Sequence, residues 1–276
     1  MTEPTAETGV ERIAAAFAAA PEQGRAALMP YLVGGFPNLE TSAAVARAYA
    51  DSGADLIELG VPYSDPLADG PVIHAAATEA LEAGTTLEDV LGICSELAPR
   101  LPVLPMVYAN MVLAPGAERF SEMLLEAGAA GAIIPDLPPG EDRELPEAFA
   151  ERGLALIPFV APTTPPERRR RLVAGAQGFI YVVSLTGVTG EREALPADLT
   201  GLVDAVRGEA GVPAAVGFGI GTPERAAEVG AISDGVIIGS RLVREVADAG
   251  ADPEAAARAV SAFLEATRER LSGTAA

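Results

Sequence analysis

Short, almost uninterrupted apolar runs recur at 27–33, 56–60, 103–108, 131–134, 155–159, 179–183, 214–217 and 235–238, each bounded by glycine or proline. Runs this short and rich in β-branched residues predict strands. Between them, Ala, Leu and Val return at three- and four-residue spacing among Glu and Arg, at 41–51, 87–97, 118–126 and 223–229, which predicts helices. A further helix is expected over 10–20, ahead of the first strand, and a long one over 253–271 closes the chain. Strands that are apolar throughout must be covered on both faces, so the pattern predicts a parallel sheet wrapped by helices. Eight strand–helix units in about 250 residues is the count of a (βα)8 TIM barrel, with an open doubly wound sheet as the alternative. No linker interrupts the alternation, and a single TIM-barrel domain over 1–276 is expected.

The spacing of the units is uneven. Most repeat every 20 to 30 residues, but the segments after the second and sixth strands, 61–85 and 184–196, are longer. In a barrel, the segments that follow strands form the rim on which active sites are built. These two are therefore the candidate catalytic loops, with simple drift in loop length as the other reading.

Composition narrows the chemistry. A net charge of −20 and a pI near 4.4 offer no basic footprint for nucleic acid or an anionic membrane. No apolar run reaches a membrane span, and an acidic start with Glu3 and Glu7 lacks the basic region of a signal peptide, so a cytoplasmic location is expected. All 19 basic residues are Arg. Without Lys there is no Schiff base, either to a carbonyl substrate or to a covalently held pyridoxal phosphate. One histidine, His74, and one cysteine, Cys94, do not make a His/Cys transition-metal site, whereas counting leaves an oxygen-ligated Mg²⁺ open. Acid and base work falls to Asp, Glu or Tyr. Cys94 reads as a small core residue, His74 as decoration of a helix, and the run Arg168 to Arg171 as a solvated helix face.

Glu58 sits in an otherwise apolar strand, so its carboxylate points into the barrel near the rim, where burial would raise its pKa and suit it to proton transfer. The competing reading is a structural Glu paired with an Arg. Asp69 lies on the first long loop, in a stretch stiffened by Pro62, Pro66 and Pro71, and is either a second catalytic carboxylate or an ordinary turn and capping residue. After the seventh strand comes GFGIGT (217–222), and after the eighth Gly239-Ser240-Arg241 opens a helix. Glycines admit close approach of backbone N–H groups and a helix N-terminus favours an anion, so the pair predicts a phosphate grip, the alternative being tight turns alone. Tyr181 and Tyr108 either line the pocket or pack.

With ELGVPYSDPLADGP (58–71) in view, the chain closely resembles the tryptophan synthase alpha chain family. PYLVGGFP (30–37), MVYAN (106–110), IPDLP (134–138), GVTG (187–190), GFGI (217–220) and Gly239-Ser240 extend the resemblance over nearly the whole chain. It implies retro-aldol cleavage of indole-3-glycerol phosphate to indole and glyceraldehyde 3-phosphate. Indole would pass to a β subunit that holds pyridoxal phosphate, within an α2β2 heterotetramer, and this chain would carry no cofactor and no metal. By the same resemblance Glu58 is the acid/base at the reacting carbons, Asp69 accepts the indole N–H and Tyr181 orients the substrate. Gly190, Gly219, Gly239 and Ser240 hold phosphate. Thr189 belongs to a lid over the substrate, Tyr31 and Met106 match pocket positions, and the stretch from Ser64 to Pro66 belongs to a loop used in β-subunit contact. Well-studied members carry Arg, Phe and Leu where this chain has Leu185, Tyr31 and Met106. The rivals are a carboxylate-dependent amino-ketose isomerase working on a sugar phosphate, and a non-catalytic phosphate-binding barrel that activates a partner.

Overall fold

The computed structural model describes residues 7–137, 144–183, 198–217 and 219–273. In chain order its elements are α1 (Gly9–Glu22), β1 (Ala27–Val33), α2 (Leu39–Asp51), β2 (Ile57–Gly60), α3 (Pro71–Glu82), α4 (Leu87–Leu97), β3 (Val103–Met106), α5 (Ala109–Leu113), α6 (Ala117–Glu126), β4 (Gly131–Ile133) and α7 (Glu144–Glu151). These are followed by β5 (Ala155–Ile157), β6 (Phe159–Val160), α8 (Pro166–Val173), β7 (Ile180–Val183), α9 (Leu199–Glu209), β8 (Ala214–Gly217), α10 (Pro223–Gly230), β9 (Gly235–Ile238), α11 (Ser240–Ala249) and α12 (Pro253–Ser272).

All the strand pairings are parallel, in the order β5-β4-β3-β2-β1-β9-β8-β7-β6. The two ends of that order are consecutive in the chain, separated only by Pro158, so the sheet closes on itself. Proline has no N–H to give the ladder, which divides the expected fifth strand into β5 and β6, while its carbonyl still accepts the Tyr181 N–H at 2.9 Å. The result is the eight-position barrel of the TIM fold, and the open-sheet alternative falls. The third strand also ends at Met106, earlier than expected, because Tyr108 already turns into α5.

Strand side chains alternate between the barrel interior and the helix layer. On β1 the inward set is Ala27, Met29 and Tyr31, and on the second strand it is Leu56, Glu58 and Gly60. Ala27, Met29 and Leu56 share one buried cluster with Leu104, Phe179, Tyr181 and Ala215 from around the barrel. Ile13, Phe17 and Ala20 of α1 join that cluster, with the Phe17 and Phe179 rings 5.5 Å apart. The amphipathic face of α1 thus plugs the N-terminal end of the barrel. Arg12 pins it there by donating to the carbonyls of Gly128 and Leu101, both at 2.9 Å. At the other end the strands finish, and the segments that follow them form the rim.

α12 closes the outer layer against α2, α10 and α11. Two polar contacts fix that closure: Thr41 donates to the Ala251 carbonyl and Ser52 meets Ser261, each at 3.0 Å. Beneath β1 and β2, buried Arg25 grips Asp55 through both guanidinium nitrogens, and Asp55 also accepts the Leu28 N–H at 2.7 Å. Cys94 is fully buried, with its thiol pushed up to about 12 by desolvation, as a core residue should be. The run Arg168 to Arg171 departs from a uniformly solvated face: Arg169 turns inward to a bidentate pair with Glu209 of α9, at 2.8 and 2.9 Å. No helix among the described residues is long and apolar enough to cross a membrane.

Candidate active site

Glu58 stands on β2 level with Tyr31 on β1 and Leu104 on β3, all inward. It is 1% exposed, and its Oε1 has no hydrogen-bond partner among the described residues. The structural reading of an Arg-paired Glu therefore fails. Burial without a counter-charge pushes its pKa well above the usual carboxylate range, which favours the protonated form.

Asp69 reaches the same mouth from the loop after β2. Its backbone N–H closes a turn onto the Pro66 carbonyl at 3.1 Å. The carboxylate does not cap α3, whose N-cap is Gly70 with no side-chain cap bond. Instead its Oδ2 accepts the Tyr108 hydroxyl at 3.1 Å, and the same hydroxyl accepts the Ala68 N–H at 3.1 Å. Desolvation raises the Asp69 pKa to about 6, opposed by the Tyr108 hydrogen bond and the nearby His74. The two carboxylates thus differ in kind: Glu58 is sealed and biased toward its protonated form, whereas Asp69 is partly open, with its pKa raised only to about 6.

Tyr108 is the hinge of this arrangement. It is 4% exposed, it stacks on Tyr63 with ring centroids 4.9 Å apart, and Tyr63 in turn accepts from Asn110 at 2.8 Å. Asp136, after β4, steadies the following turn by accepting the Ala109 N–H at 2.8 Å. Tyr63, Asn110 and Asp136 escaped the sequence reading because nothing local marks a contact between successive rim loops. Tyr181 is buried on β7, stacked on Phe159 at 4.7 Å, and leans over Gly217, where a Cβ would lie 2.4 Å from its hydroxyl. Tyr31 leans over Gly60 in the same way. Met106 is half-buried and level with Gly60 at the top of β3.

Across the mouth, β8 and β9 end side by side. Gly219 has φ +78, a left-handed conformation that favours glycine. Gly239 precedes α11, which opens at Ser240 with no side-chain cap and no acidic residue in its first turn. Its first N–H groups and the positive end of its dipole are free to meet an anion. Thr189, Gly190 and Leu185 lie outside the described residues, as does the whole of the second long loop, 184–196.

A sealed carboxyl group, a partly open carboxylate and an uncapped helix end around one mouth are the form of a (βα)8-barrel enzyme. The model of one family, tryptophan synthase alpha chain, matches residues 17–272. The alpha chain of a Synechococcus species (strain CC9902) is 48% identical over 240 residues, covering 86% of this chain and 89% of that relative. That of Rippkaea orientalis is 44% identical, covering 91% and 94%. Among solved structures, tryptophan synthase of Mycobacterium tuberculosis superposes with a TM-score of 0.87 at 35% identity, over 94% of this chain and 98% of that one. The alpha subunit from Legionella pneumophila gives 0.84 at 32% identity, over 95% and 98%.

The chain belongs to the tryptophan synthase alpha chain family. It is a carbon–carbon lyase of tryptophan biosynthesis that cleaves indole-3-glycerol phosphate, and its family has no cofactor of its own. The isomerase and the non-catalytic barrel are thereby set aside.

Proposed function

We propose that Glu58 and Asp69 divide the cleavage between them, and that the divergence of their environments is the observation that carries the assignment. Bond breaking needs a proton at indole C3, removal of the proton from the carbinol hydroxyl, and an anion beside the indole nitrogen as positive charge develops there. Glu58 gives the proton that C3 requires, burial favouring its protonated form. Once it has given that proton, its carboxylate takes the carbinol proton as the C3–C1′ bond breaks and the aldehyde forms. Asp69, ionised above about pH 6, accepts the indole N–H. Tyr108 holds Asp69 in place, Tyr181 and Met106 bound the indole pocket, and the backbone at Gly219, Gly239 and Ser240 receives the phosphate. Thr189 and Gly190 are assigned to the lid and phosphate grip on the family motif alone.

The chain, 1–276, acts in this reading as one barrel domain in the cytoplasm, and hands indole to a β subunit carrying pyridoxal phosphate in an α2β2 assembly. Leu67, 84% exposed on the loop that carries Asp69, supports a partner on this rim, since the loop presents both an apolar side chain outward and a reacting carboxylate inward. The experiment is indole release from indole-3-glycerol phosphate by the purified chain, alone and with a matching β subunit. Slow release that rises with the β subunit is expected, and Glu58→Gln should lower it about 100-fold or more without unfolding the chain. A fully active Gln variant would remove the acid/base assignment.

A further inference from the structure

Tyr31 occupies a position that the two-carboxylate scheme leaves without a task. It is 5% exposed, on the strand between the carboxylates and the phosphate side, and level with Glu58. Its ring runs from one to the other. At the phosphate side, a Cβ on Gly239 would lie 3.6 Å from Tyr31 Cδ1. At the carboxylate side, a Cβ on Gly60 would lie 2.1 Å from the Tyr31 hydroxyl, so the glycine is what lets the hydroxyl stand there. Tyr49 of α2 fixes the backbone beneath it by donating to the Tyr31 carbonyl at 3.1 Å. The hydroxyl itself has no hydrogen-bond partner among the described residues, and it is not one of the sealed, unpartnered atoms.

A partnerless phenol held rigidly between an anion site and a carboxylate pair is a donor awaiting a ligand. What spans that interval in the substrate is the glycerol chain, phosphate at one end and the reacting carbinol at the other. We propose that the Tyr31 hydroxyl donates a hydrogen bond to a hydroxyl oxygen of the glycerol chain, making Tyr31 a substrate-contacting residue that selects a hydroxylated linker between indole and phosphate. The assignment rests on the placement of substrate given above. Burial, together with the charge of Asp69, drives the Tyr31 pKa well above its ordinary value, so the phenol keeps the proton it donates.

The test compares two ligands in the wild-type chain and in Tyr31→Phe, a change that removes only the oxygen and leaves the ring over Gly60. One is indole-3-glycerol phosphate, followed as kcat/KM for indole release with the β subunit present. The other is 3-(indol-3-yl)propyl phosphate, which lacks both glycerol hydroxyls, followed by calorimetric Kd. Loss of one hydrogen bond to a neutral group in a desolvated site is expected to lower kcat/KM about tenfold while the Kd of the propyl analogue stays within about twofold. An unchanged kcat/KM, or equal losses for both ligands, would overturn the assignment, the second by reducing Tyr31 to a packing residue. Failure of the wild-type chain to bind either ligand would instead remove the substrate placement itself, and this assignment with it.

Discussion

Replacing Asp69 with Asn should strengthen the fold while abolishing the chemistry, and the gain should depend on pH. Burial raises the Asp69 pKa from 3.8 to about 6. A shift of that size separates the two protonation states by about 3 kcal/mol, part of which solvent screens because the carboxylate is partly open. The folded-state pKa lies above the unfolded one, so the stability that protonated Asp69 permits is fully present below about pH 4 and is lost as pH rises through about 6. Asn does not titrate, and its side-chain oxygen still accepts from Tyr108. The advantage of Asp69→Asn should therefore be about 2 to 3 kcal/mol at pH 8 and about half of that at pH 5. Urea denaturation of both proteins at the two pH values, alongside indole release, measures it. An advantage that is constant with pH, or a variant less stable than wild type at pH 8, would refute the reasoning that the fold holds this carboxylate ionised against its desolvation.

Two further outcomes follow from the same geometry. Tyr108→Phe removes the donor that lowers the Asp69 pKa, so the acid limb of the kcat/KM profile should move from near pH 6 to higher pH, read from indole release across pH 5 to 9; an unmoved limb would detach Tyr108 from Asp69. Asp55→Ala leaves buried Arg25 without its partner and frees the Leu28 N–H, and should cost about 3–5 kcal/mol in urea denaturation; a loss below 1 kcal/mol would make the pair incidental.

Much of this molecule was legible without coordinates because the relevant signals are local. Apolar runs alternating with helical spacing announce a parallel sheet covered on both faces, and their number announces a barrel. Strand alternation sends Glu58 inward with Leu56 and Gly60, and no neighbouring residue type competes with that reading. The motif around Asp69 and the glycines after the seventh and eighth strands placed the remaining chemistry at one rim, since every strand of such a barrel ends on the same side.

What the tertiary structure alone decided are contacts between segments far apart in the chain. The sequence left Asp69 poised between capping and catalysis; the Tyr108 hydroxyl, 39 residues away, binds its carboxylate, and α3 carries no side-chain cap. Tyr181 and Tyr108 read as either packing or pocket; the barrel sets the Tyr181 hydroxyl over Gly217 and the Tyr108 hydroxyl against Asp69. Arg169 belonged to a basic run until α9 brought Glu209 against it, and α1 was an extra helix until the barrel gave it an end to plug. Period and composition act over a few residues, where backbone geometry fixes which side chains share a face. The register of one strand on the next is set by closure of the whole barrel, and no local pattern carries it.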